Sequence, residues 1–405
     1  MQRIVQDWRD ICRGAKMSFD FNRLVFAFLG IIASIVWMVL ILTSCDSLGL
    51  FTVKASGLMN NFLFSLHPDF SSLITGFSDL VMDAGLGEYA ALSVLALGLL
   101  AIWSLAGGSI TRSAALEFAM GEKLTFKNTI AFAVEKFWSY FWSPIIPVLG
   151  MLFFSVCNIM GGVIGQTKYV GEIAAALGFP LAIISGVLIV FIGIVGLIGF
   201  FLMFPTISAE GSDCFDAMSR SYSYVLARPK HFVSLFLCII FCGVFFTFFL
   251  NGISCLIMQT SFTTVGFGMG QKFDSIRALV SGNADPAIQV RGGMAGSVTW
   301  SLKFFTFMLI IYLTLVKAVV GSFVVVFAGT ASTIAYFILR KDVDGTETGD
   351  VYYEESAGGI NHRALIDKKT GEETASEQGH SQNGFSGESD TPSPVEPSRN
   401  EQKNF

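Results

Sequence analysis

Lys317 is the residue whose setting asks most for a chemical reason. It lies thirteen residues into an apolar run that starts at Phe304, a depth of about 20 Å at helical rise. A cation that deep in a hydrocarbon environment faces a partner or water, so it marks either an ion or solute pathway or a lysine paired inside a bundle. Two carboxylates are the candidate counter-charges. Glu117 and Glu210 each follow an apolar run on the same side of the predicted membrane. Brought to Lys317 they would gate or bind cations; as helix-terminal charges facing water they would only suit the helix macrodipole. Arg220 stands between these readings: with Asp213 and Asp216 it forms either surface pairs on a short helix or an anion site.

Other chemistry is hard to find. The chain has no P-loop, nucleophile elbow, zinc motif or dinucleotide fingerprint. No CxxC pair occurs among the seven cysteines, and most of them fall inside apolar runs, where cysteine packs as a small hydrophobe. A disulfide between Cys45 and Cys255 is open to the chain, since both are expected near the outer face. The four histidines are dispersed; His67 and His231 fall near prolines in loops and are expected to be solvated. No catalytic residue, cofactor or metal is expected.

The elements that must position these residues are membrane helices. Hydrophobic residues make up 53% of the 405, charged residues only 14%, and mean hydropathy is +0.62. Soluble domains carry about 25% charged residues and lack long apolar runs. The fold class is therefore all-α: a polytopic bundle of six transmembrane helices. The spans are expected near 24–42, 89–110, 144–165, 181–204, 232–258 and 304–327. Leu42–Cys45 has the form of a lipoprotein cleavage box, but the apolar run before it is longer than the ~7–15 residues of a signal-peptide core, so an uncleaved span is expected.

Shorter elements flank the spans. Residues 1–23 read as a basic amphipathic helix in the headgroup plane, with Ile4, Trp8, Ile11 and Cys12 on one face. Thr125 is placed to cap an amphipathic helix, and Trp138, Tyr140 and Trp142 suit the interfacial aromatic belt. Gly161 and Gly165, and separately Gly193, Gly196 and Gly199, are spaced for close helix contact. Two apolar runs are too long for one straight span. Pro180 is expected to set an interfacial turn apart in the first, and Gly329–Ser332 to break the second.

Lys and Arg orient the bundle. The amino end, the 111–142 and 206–231 segments and Arg340–Lys341 together hold fourteen, whereas the opposite loops hold Lys54, Lys168, Lys272, Arg277 and Arg291. The positive-inside rule places both termini in the cytoplasm. From Lys341 onward fourteen acids face six bases, so residues 340–405 read as a disordered acidic tail on a mildly basic body. Neither part has the footprint of a nucleic-acid binder.

The polar links after spans two and four echo each other in layout, with Glu117 and Glu210 in matching places. Phe204-Pro-Thr-Ile-Ser-Ala-Glu-Gly, followed by Asp216-Ala-Met-Ser-Arg-Ser221, resembles the membrane domain attached to some glycerophosphodiester phosphodiesterases. Ala335–Gly345 and the Trp8-Arg-Asp leader are similar to polytopic membrane proteins of planctomycete-type bacteria. Neither resemblance brings a catalytic residue, and no phosphodiesterase domain accompanies the first. The expectation is a non-enzymatic scaffold or lipid-interacting module whose partners are membrane lipids and other membrane proteins. The alternative is a transporter for a small or amphiphilic solute, using Lys317 with Glu117 or Glu210.

Overall fold

The structure, a computed structural model, describes residues 8–47, 85–270, 273, 300–346 and 349–352. The chain divides into two units, Met1–Tyr352 and Tyr353–Phe405, and the second lies outside the described residues, as does the expected acidic tail beyond Tyr352. His67 and the loop cations Lys54, Lys272, Arg277 and Arg291 also lie outside them.

Ten helices make up the described part of the first unit. They are α1 (Trp8–Met17), α2 (Phe21–Ser47), α3 (Leu86–Met120), α4 (Phe126–Glu135), α5 (Phe137–Trp142), α6 (Ile145–Gly165), α7 (Val170–Glu210), α8 (Cys214–Ala227), α9 (Pro229–Met269) and α10 (Trp300–Asp344). Six of these, α2, α3, α6, α7, α9 and α10, are long and apolar enough to cross a membrane. This is a multi-pass helical membrane protein. Hydroxyls within the spans bond back to carbonyls one turn earlier, as Ser104 does to Leu100, Thr206 to Leu202 and Ser322 to Ala318, so they cost little inside hydrocarbon.

Successive spans alternate in direction, which brings the start of α2 and the ends of α3, α7 and α10 to one end of the bundle. The packed core sits at that end. Leu116, Leu202, Phe232, Phe327, Ile334 and Phe337 belong to one cluster there. Away from it, the α6–α7 hairpin and the far half of α9 expose nearly all their apolar side chains, as lipid-facing helices do. Gly193 and Gly196 bring α7 against Met151 and Pro147 of α6, whereas Gly161 meets nothing within 4 Å.

Two expectations are corrected. Pro180 and Pro205 both lie inside a continuous α7, and α10 runs unbroken through Gly329–Ser332. In apolar surroundings breaking a helix would strand several backbone groups, so continuing past one proline is the smaller cost. The first helix packs one face inward: Ile11 and Ala15 are buried in the core, and Gly14 approaches Ile334 of α10. Cys45 and Cys255 are free thiols, as cysteines that pack as small hydrophobes would be. Cys45 ends α2, which packs on α3 and α10, whereas Cys255 is on α9, which packs on α10, α8 and α1.

Candidate functional site

The end of the bundle that holds the core also holds a buried polar lattice in three parts. The first joins α2 to α3. Arg23 is fully buried, donates Nε–H to Ser113 Oγ at 3.1 Å and Nη1–H to the Met17 carbonyl at 2.8 Å, and pairs with Glu117. Nearby, Lys123 meets Asp20 at 2.8 Å. Burial works to raise the Asp20 carboxyl, but the Lys123 hydrogen bond and the Arg23 and Lys123 charges outweigh it and hold it below the ordinary aspartate range.

The second part centres on Glu210, the last residue of α7. Arg220 of α8 reaches it at 2.7 Å, Arg340 of α10 at 3.2 Å, and the Tyr336 hydroxyl donates to it. Arg220 also holds Asp216 one turn back at 3.0 Å. Burial disfavours the Arg220 charge, but the Asp216 hydrogen bond and the Glu210 charge raise its guanidinium above the ordinary value. Tyr224 donates to Asp344; burial first, then that bond and the Asp344 charge, push its hydroxyl up. His231 lies in the first turn of α9 rather than in a loop, and its partly exposed ring pairs with Asp342.

The third part ties α3, α5 and α7 to the segment after α10. Thr111 and Ser208 hydroxyls are 2.6 Å apart, and the Tyr140 hydroxyl is 2.8 Å from Ser208. Arg112 donates to the Ser208 carbonyl at 2.7 Å and to the Tyr352 carbonyl at 2.8 Å, with its guanidinium 4.0 Å from the Phe132 ring centre. Tyr140 comes this close because Gly108 has no side chain; a Cβ there would stand 2.7 Å from its ring. Burial pushes the Tyr140 hydroxyl up to about 12, against the Ser208 bond and the Arg112 charge. It stays protonated near neutrality.

Glu117 and Glu210 are thus partly buried and paired with arginines rather than standing free in water. Each sits in the last turn of its helix, where the macrodipole disfavours an anion. The arginines offset both that effect and the loss of hydration. Of the four residues singled out by sequence, Glu210 and Arg220 meet, Glu117 pairs elsewhere, and Lys317 meets neither acid. Gly321 approaches Ile31 Cδ1, so Lys317, one turn further along, is level with the middle of α2. Tyr336 is nineteen residues beyond Lys317 on one continuous helix, about 28 Å at helical rise.

Arg23, Arg112, Arg340, Tyr336, Ser208 and Tyr140 were not legible as site residues. The arginines read only as topology charges. The usable signal is that α3, α7 and α10 run the same way and end in Thr111-Arg112, Ser208-Ala-Glu210 and Tyr336 to Arg340. Polar residues at like ends of three spans meet. Among the described residues, no three His, Cys, Asp or Glu side chains converge as a metal ion would need. In chemical terms the lattice holds ion pairs and bonded hydroxyls that cross-link helices. No family model, curated protein or solved structure matches this chain.

Proposed function

We propose that the chain is a non-enzymatic scaffold of the bacterial inner membrane, with both termini and the polar lattice on the cytoplasmic side. The observation that carries this reading is the closure of the charged groups on one another: Glu117 on Arg23, and Glu210 on Arg220 and Arg340. Groups tied this way hold helices in place and commit both Glu117 and Glu210 to arginines rather than to Lys317. The same end exposes Trp138, Trp142 and Phe215, and Lys127 and Lys230 are exposed there too. Interleaved aromatics and cations suit contact with the headgroups of the cytoplasmic leaflet. Lys303, in the first turn of α10, adds a cation to the opposite side without reversing the charge bias.

The experiment is affinity capture of the full chain in mild detergent, with mass spectrometry of the lipids and proteins retained. Reproducible retention of anionic phospholipid and of the same membrane proteins supports the scaffold. Capture of neither, at wild-type stability, overturns it. One observation favours a second reading: Lys317 is half-buried within the apolar part of α10. A transporter for a small or amphiphilic solute would lose flux in proteoliposomes on Lys317→Met. Such a loss, with the fold retained, would replace the scaffold reading.

A further inference from the structure

Asn251 lies inside α9, within the apolar run that starts at Phe232 and two turns before the polar stretch that opens at Gln259. That is about 12 Å along the helix. Its depth is set by the neighbouring span: Phe246 packs on Phe323 and Phe327, and Met258 on Leu313, so Asn251 is level with the Lys317–Gly321 turn of α10. The side chain is exposed, and no hydrogen bond joins its amide to any described residue. Asn158, likewise inside an apolar helix, accepts from Ser185 Oγ at 2.6 Å. Lipid tails cannot supply such a partner, and an unmet amide in hydrocarbon is costly. Asparagine is also too short to reach the headgroups as lysine does.

The residues around Asn251 are not random. Leu237, Phe241, Val244, Phe248, Asn251 and Cys255 follow one another at alternating spacings of four and three. That is the seam of a left-handed helix pair. It lies opposite the face that α9 turns to the bundle through Phe232, Leu235 and Ile239. Leu237 is 59% exposed, Phe241 74%, Val244 64% and Phe248 80%. At Gly252, beside the seam, a Cβ would meet nothing within 4 Å.

We propose that α9 pairs with α9 of a second copy of this chain, and that Asn251 hydrogen-bonds Asn251 of that copy across a twofold axis along the membrane normal. The self-pairing is argued from the amide itself. It carries both donor and acceptor, so two copies related by a twofold satisfy each other, whereas an unlike partner would have to bring its own polar group to that depth. A twofold along the normal sets the two helices parallel and in register, which is what a repeating four-three seam accommodates.

The test uses the full chain in liposomes at low protein-to-lipid ratio, with native cysteines replaced and single cysteines introduced. Val244→Cys on the seam should give a disulfide-linked dimer on mild oxidation, and Val187→Cys on exposed α7 should not. Single-molecule photobleaching should show two copies, and Asn251→Leu should weaken the dimer by roughly three- to thirty-fold, the range for a hydrogen bond between membrane helices. Asn251→Gln should restore part of the loss. Leucine improves the apolar character of the site, so weakening by it cannot come from poorer membrane insertion. A monomer in photobleaching, cross-linking through Val187→Cys instead, or an Asn251→Leu dimer as tight as the wild type would each overturn the proposal.

Discussion

Arg340 of α10 lies 3.2 Å from Glu210 of α7, across 130 residues of chain. Each ends an apolar span, and each would be costly there alone. Arg220 completes the group from α8, so three helices are tied through one carboxylate.

Glu210→Gln removes the charge that two arginines share. The expected cost is about 2–4 kcal/mol, below the full range for a buried pair because Arg220 keeps contact with water. Thermal unfolding in detergent measures it. Arg340→Met should cost less, since Arg220 still balances Glu210, and the double variant should cost less than the sum of the two. Additive losses would show that the two side chains do not act on each other.

Tyr140 gives a pH test. Its folded value of about 12 stands above the ordinary tyrosine value of about 10. The folded state therefore holds its proton more tightly. The stability this contributes is fully present below pH ~10 and is lost as pH rises toward about 12, on the order of 2–3 kcal/mol. Tyr140→Phe should flatten that alkaline limb of the stability profile. It should also cost about 1 kcal/mol at neutral pH for the lost bond to Ser208. An alkaline limb identical to the wild type would contradict the burial argument.

Two glycines can be tested by adding one methyl group. Gly108→Ala drives a Cβ to 2.7 Å from the Tyr140 ring, and overpacking of this kind costs about 1–3 kcal/mol. Gly211 ends α7 with φ +63, and its Cβ would stand 2.5 Å from the Tyr352 ring. Gly211→Ala adds about 1–2 kcal/mol of left-handed strain to that clash. Both effects appear as a lower unfolding temperature, and Gly161→Ala, facing open space, is the control.

The six spans were readable because hydrophobic length alone specifies them. Their ends were not. Pro180 and Gly329 look like breaks in a sequence, yet the surrounding apolar medium favours helix over unpaired backbone. The lattice was half readable. Glu117, Glu210 and Arg220 stood out as charges beside apolar runs, but their partners are set by packing between helices far apart in the chain: Arg23 lies 94 residues before Glu117. Lys317 stood out for its depth, and no local pattern could show that α10 carries it a long way from both acids.

The arrangement rests on the polar lattice lying at one membrane face and the α6–α7 turn at the other. The direct measurement is labelling of single cysteines by a membrane-impermeant maleimide in sealed vesicles of known orientation, on a background without native cysteines. Asn128→Cys on α4 and Ser219→Cys on α8, both exposed, should react from the same side. Thr167→Cys in the α6–α7 turn should react only from the other. Reaction of Ser219→Cys and Thr167→Cys from one and the same side would contradict the account.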